Sequence, residues 1–257
     1  MAIARMLAIW STLLVAGVAF AQEQLTIAAA ADLQTVMPEI AGRFEKQTGT
    51  RINFSFGSSG NFFTQIQNGA PFDLFFSADI EYPTKLEAAG LAVPGSLYQY
   101  ATGKIVLWTA KNSRIDLNRG LSVVADPSVK KLAIANPAHA PYGRAAQTAL
   151  EKAGLWNKVS AKLVLGENIS QTAQFVQSGN ADAGILALSL VLAPAMKDQG
   201  RYYEVPQDLY PPLQQAAIIL RGSQHLQLAA GFMEFLKSDD IKSLLKEYGF
   251  STQESLH

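Results

Sequence analysis

The 257-residue chain contains no cysteine, which excludes disulfides and lipid attachment through a cysteine thiol. Histidine is nearly as scarce. His139, His225 and His257 are the only three, and no H-x-x-x-H pair occurs, so a histidine-built metal centre is not indicated. An excess of charge of one sign is also missing. With 21 basic and 21 acidic side chains, the chain carries no field suited to nucleic acid or to an anionic lipid surface. No G-x-x-x-x-G-K-[ST] phosphate loop is present. No long Pro/Gly/Ser linker, internal repeat or low-complexity tract marks a domain boundary.

The first residues do carry a pattern. A single positive charge at Arg5 is followed by an apolar stretch from Met6 to Phe20, with Ala19 and Ala21 around Phe20. The stretch is shorter than the roughly 20 residues a bilayer span needs, and the small-residue site follows directly, so residues 1–21 read as a signal peptide cut after Ala21. Removing them takes away one basic side chain and leaves 20 basic against 21 acidic residues in 236. With no lipidation cysteine, a freely diffusing periplasmic protein is expected, and a core of this size needs no staples.

Strand-like and helix-like segments alternate through the rest, the signature of an α/β fold. Leu25 to Ala29 reads as a first strand. Leu33, Val36, Met37, Ile40 and Phe44 fall on one helical face that stops at Gly49, with Pro38 making the first turn irregular. Ile52, Phe54 and Phe56 alternate with polar neighbours as a strand, then Gly57-Ser58-Ser59-Gly60 precedes the helical pair Phe63 and Ile66. Further strands are expected over 104–109, 131–136, 161–165 and 215–220, and helices over 143–153 and from Ile169 to Gly179.

The Gly57–Gly60 turn has two readings. Ser58 or Ser59 caps its helix, or the turn holds a small oxyanion on free N–H groups and hydroxyls without any Lys or Arg. Three other strand-to-helix junctions repeat the logic: Ala30-Ala31-Asp32, Pro137 to Gly143, and Gly166-Glu167-Asn168-Ile169. In open α/β sheets such junctions gather where ligands bind. Asp32 would repel a dianion, so it is expected to cap its own helix and offer its N–H inward. Tyr142, between Pro141 and Gly143, either aims a phenol into a cleft or lies on the surface. The nucleophile elbow G-x-S-x-G fails at Asn61, which makes a serine hydrolase built on Ser59 and a histidine a poor rival.

These stretches carry a family resemblance: TIAAAADLQ, FSFGSSGN, GAPFDLFFSAD, NPAHAPYGRAA, the GENIS junction and KEYGFST. Over essentially the whole mature length the chain resembles the periplasmic molybdate-binding proteins, the substrate-binding components of molybdate ABC transporters. The resemblance implies a two-lobed type II periplasmic-binding-protein fold, each lobe a mostly parallel sheet flanked by helices. Lobe 1 would comprise residues 22–101 with 210–257, and lobe 2 residues 102–209. It implies a binding protein rather than an enzyme, with no cofactor, and with molybdate or tungstate as bound ligand. A membrane permease with its cytoplasmic ATPase is the implied partner, with no nucleic acid, and a monomer is implied. The oxyanion, whose central metal is molybdenum or tungsten, would be met at Ser59, Tyr142 and Ile169, with Asp32 at the first junction and Ala31 and Ser58 as secondary positions. A Tyr used by some members falls at Ala187, where the hydroxyl is missing. A relative tuned to sulfate or chromate would look much the same.

Overall fold

The computed structural model describes residues 24–252; the leader reading over residues 1–21 lies outside them. The first half of the chain runs β1 (Gln24–Ala30), α1 (Met37–Thr48), β2 (Arg51–Gly57), α2 (Ser59–Gln67), β3 (Leu74–Ser77), α3 (Glu81–Ala88), β4 (Tyr98–Gly103) and β5 (Ile105–Ala110). It continues through β6 (Leu132–Ala135), α4 (Pro141–Lys152), α5 (Trp156–Val159), β7 (Leu163–Gly166), α6 (Ile169–Gln177), β8 (Ala183–Ala187) and α7 (Leu188–Val191). It ends with β9 (Gly200–Glu204), β10 (Leu213–Ile219), α8 (Leu226–Leu236) and α9 (Asp239–Glu247).

The strands form two five-stranded sheets, ordered β2-β1-β3-β10-β4 and β7-β6-β8-β5-β9. Each has one reversed strand. β10 is antiparallel to both β3 and β4, and β5 is antiparallel to both β8 and β9, so the other four strands of each sheet share a direction. The chain passes from the first sheet to the second through Lys104 alone, between β4 and β5, and returns through the segment 205–212 before β10. Each sheet therefore has its own core. Phe75, Phe76 and Phe232 are fully buried about the first, and Trp108 about the second.

Local sequence explains the elements that reach the cleft. β3 is buried at all four positions and reads as a continuous apolar run, as expected for a strand covered on both faces. The single helix expected from Leu33 is split: Ala31–Leu33 makes a 3-10 turn, and α1 starts only at Met37. Pro38 lies in the first turn of α1, where its missing N–H has no intrahelical acceptor to serve. The helix ends at Gly49, whose φ of 74° is left-handed and favours glycine.

Gly143 sits where α4 leaves β6, and a Cβ there would drive into the backbone carbonyl of Ala135. Gly143→Ala is expected to lower stability by about 1–3 kcal/mol in urea denaturation. Gly42→Ala, inside α1 with open space around the added methyl, is expected to raise it by about 0.5–1 kcal/mol. An unchanged midpoint for Gly143→Ala would show that α4 and β6 do not approach so closely.

Candidate functional site

Five strand ends, three from the first sheet and two from the second, deliver their chains to one small cavity. It is lined by Ala30, Ala31 and Asp32 after β1, Gly57, Ser58 and Ser59 after β2, and Ala78 after β3. Ala140, Pro141 and Tyr142 after β6, with Asn168 and Ile169 after β7, complete it. The cavity volume is about 10 Å³, far below the roughly 300–1,000 Å³ of pockets for drug-sized ligands. No Lys, Arg or His lines it. A larger groove of about 320 Å³ lies on the hinge side, where Asp79, Glu81, Arg144 and Pro211 to Gln214 border it. Its wall carries the Arg144–Asp79 ion pair.

Ser59 opens α2, Tyr142 is the second residue of α4, and Ile169 opens α6. Amides in a first turn have no intrahelical acceptor, and the helix dipole adds positive potential there. The two serines divide their work. Ser58 Oγ is 2.9 Å from His139 Nδ1, whereas Ser59 Oγ accepts from the N–H of Ala78 at 2.9 Å. That acceptance fixes the fully buried Ser59 hydroxyl and leaves its proton for another acceptor. At the fourth junction Asn168 caps α6, its side chain accepting from the Gln171 N–H at 3.0 Å.

Asp32 does not cap its own helix, as the sequence led one to expect: the 3-10 turn has no side-chain cap. Its carboxylate turns instead into a buried network. Oδ2 accepts from Tyr142 Oη at 2.9 Å and from Gln215 Nε2 at 2.7 Å, and Gln215 Oε1 accepts from Tyr100 Oη at 2.7 Å. Oδ1 has no partner. Complete burial pushes the Asp32 carboxyl up to about 6, against the pull of Gln215, Tyr142 and its own backbone N–H. Burial first, then the Asp32 charge, raises both the Tyr142 and the Tyr100 phenols, which stay protonated. The Tyr142 phenol, one reading of which aimed it at a ligand, is thus committed to Asp32, and the residue's open donor is its N–H.

Several bonds cross between the sheets. Gly60 N–H donates to the His139 carbonyl at 3.0 Å, Ser189 Oγ donates to the Asp32 carbonyl at 2.8 Å, and Asn61 Nδ2 donates to Glu167 at 2.7 Å. Arg144 pairs with Asp79 and donates to Tyr82 Oη at 3.1 Å, so it is not a cavity donor. Ser59 has no base in reach: His139 pairs with Ser58, and His225 lies 3.2 Å from Asp73. Among the described residues no His, Cys, Asp or Glu cluster could hold a metal ion. Ala187 is buried at the end of β8, paired with Ile105, and does not line the cavity. Gln215, Tyr100 and Ser189 escaped sequence reasoning because they are remote in the chain and carry no local motif.

A two-lobed α/β protein whose cleft ends in an enclosed cavity of neutral donors is, by class, a solute-binding protein. The profile described as "Bacterial extracellular solute-binding protein" matches residues 25–251. The chain is 43% identical over 230 residues to the molybdate-binding protein ModA of Azotobacter vinelandii, covering 90% of each, and 39% identical to that of Rhodobacter capsulatus, covering 90% of this chain and 89% of that one. The solved Azotobacter vinelandii periplasmic molybdate-binding protein superposes with a TM-score of 0.85 at 37% identity, over 90% of this chain and all of that one. The chain belongs to the periplasmic molybdate-binding protein family, and it is a binding protein rather than an enzyme. The sulfate-binding protein SubI of Mycobacterium tuberculosis, at 15% identity and a TM-score of 0.72 over 91% of this chain and 88% of that one, shares the fold.

Gly60 sits where the two lobes meet closely: a Cβ there would stand 2.6 Å from the His139 carbonyl oxygen. Gly60→Ala is expected to hold the cleft open, seen as a larger radius of gyration by small-angle scattering with an unchanged circular dichroism spectrum. An unchanged radius would show that this contact does not limit closure.

Proposed function

We propose that this protein captures molybdate, and also tungstate, in the periplasm and delivers it to a membrane permease driven by a cytoplasmic ATPase. The observation that carries the reading is the set of donors at one small cavity: the fixed Ser59 hydroxyl, and first-turn amides of Ser59, Tyr142 and Ile169 on helices from both sheets. Ala31 and Asp32 add the start of the 3-10 turn. Ser58 supports the site through His139. Ala187 takes no part.

A dianion entering this cavity gives up its water, and each donor must offset part of that loss. Hydrogen bonds to a charged partner contribute about 1.5–3 kcal/mol each, so several must act together, and they do so only when the lobes close. Neutral donors suit a carrier, because they offer no buried Lys or Arg to hold the anion as a full ion pair during release. Closure about the two crossings would present the permease with a shape distinct from the open form. A monomer suffices, since one chain supplies every donor. Among the described residues no helix is long and apolar enough to cross a membrane.

Calorimetric titration of the protein lacking residues 1–21 with molybdate, tungstate, chromate, sulfate and phosphate tests the reading. Tight binding of molybdate and tungstate is expected, and binding of sulfate alone would overturn it. Ser59→Ala is expected to weaken molybdate binding about 10- to 100-fold, the equivalent of one charged hydrogen bond. Unchanged affinity would remove Ser59 from the site.

A further inference from the structure

The cavity proposed to receive a dianion already contains a carboxyl group. Asp32 lines it, is fully buried, and has no cation beside it. The titratable groups that face it are the phenols of Tyr142 on α4 and Tyr100 on β4. Its other polar neighbours are Gln215 on β10 and, at its backbone carbonyl, Ser189 on α7. Two negative charges in one small space of low dielectric repel strongly, and no cation in the cavity wall offsets that repulsion.

The hydrogen-bond pattern shows how the conflict can be resolved. Oδ2 accepts from both Tyr142 and Gln215, so its lone pairs are occupied and it is a poor place for a proton. Oδ1 is buried and has no partner at all. An ionised carboxylate would leave that oxygen unsatisfied, at a cost, whereas a protonated one would have an O–H to give. A neutral carboxylic acid is a donor, and a donor is what an oxyanion needs on this side of the cavity, where Ala31 offers no hydroxyl.

We propose that Asp32 meets the bound oxyanion as a neutral carboxylic acid, its proton on Oδ1 and donated to the ligand, so that each dianion enters together with one proton. The inference rests on the oxyanion-binding reading and adds a linkage to it. No bond within the ligand is made or broken, and the proton is taken from solvent. In the ligand-free protein burial sets the Asp32 carboxyl near 6, so above that pH it is mainly ionised and must gain a proton on binding. Below it the proton is already in place and none is taken up. Affinity therefore falls as pH rises above about 6, by up to about tenfold per pH unit, while remaining nearly flat below about pH 5.

The test is calorimetry of molybdate binding at about pH 8 in buffers of different ionisation enthalpy. The slope of observed heat against buffer ionisation enthalpy counts protons, and a value of about one per oxyanion is expected. Asp32→Asn, which keeps a donor but cannot titrate, is expected to bring the slope to about zero and to flatten the pH dependence, whatever its absolute affinity. Infrared difference spectra of the unmodified protein supply a measurement independent of that variant, with a protonated carboxyl C=O band gained on binding. Molybdate binding with a slope near zero, or an equal slope in Asp32→Asn, would overturn the proposal while leaving oxyanion binding intact. No heat with any oxyanion would instead remove the binding reading, and the proposal with it.

Discussion

A helix that begins at the end of a strand leaves its first amides without acceptors, and in this fold three such helices, from two separate sheets, begin at the same small cavity. Everything about the site depends on that convergence. The cavity has no Lys, Arg or His in its wall, so whatever attraction it has for an anion comes from oriented neutral dipoles, which are weak singly and add only when the two sheets are held together. Ser59 shows how exact the arrangement is. The Ala78 N–H fixes its oxygen, so the hydroxyl keeps one proton, aimed by a bond to the neighbouring strand end.

The closed state is held by a second set of contacts around the first. The Gly60 amide reaches the His139 carbonyl, Ser58 reaches the His139 ring, Arg144 reaches Asp79 and Tyr82, and the Tyr142 phenol reaches Asp32. Each joins one sheet to the other, while only Lys104 and the segment 205–212 connect them covalently. The part-exposed Arg144–Asp79 pair contributes little individually, whereas the Tyr142–Asp32 bond is buried. Together these contacts bias an open-to-closed equilibrium that the ligand then completes, which is the economy a carrier needs if it is to release what it captures.

The architecture was legible wherever a pattern is local. β1, β2, α4 and α6 follow from alternation or helical spacing with a glycine or a capping residue at an end, and the four junctions could be marked as candidate binding places. Boundaries moved by a few residues where a 3-10 turn intervened, as at Ala31–Leu33 before α1 and Ser160–Lys162 before β7. Three things were hidden. Nothing in GSSG distinguishes Ser58 from Ser59, because the difference lies in Ala78 and His139, far along the chain. Asp32 looked like a cap, since Asp before a helix usually is one, but its partners Tyr142 and Gln215 are 110 and 183 residues away. The Tyr142 phenol could be placed in the interior only with Gly103 in view, whose missing side chain makes room for it. Local chemistry reveals where backbone donors collect; long-range pairing decides which side chains join them.

The central claim is that neutral donors from both lobes enclose one oxyanion at this cavity. Crystals grown with tungstate, with diffraction recorded at the tungsten absorption edge, test it most directly. A single strong anomalous peak is expected within hydrogen-bonding reach, through one shell of oxygens, of Ser59 Oγ and the amides of Tyr142 and Ile169. A peak in the open groove beside Arg144 and Asp79, or none in a crystal soaked to saturation, would contradict it.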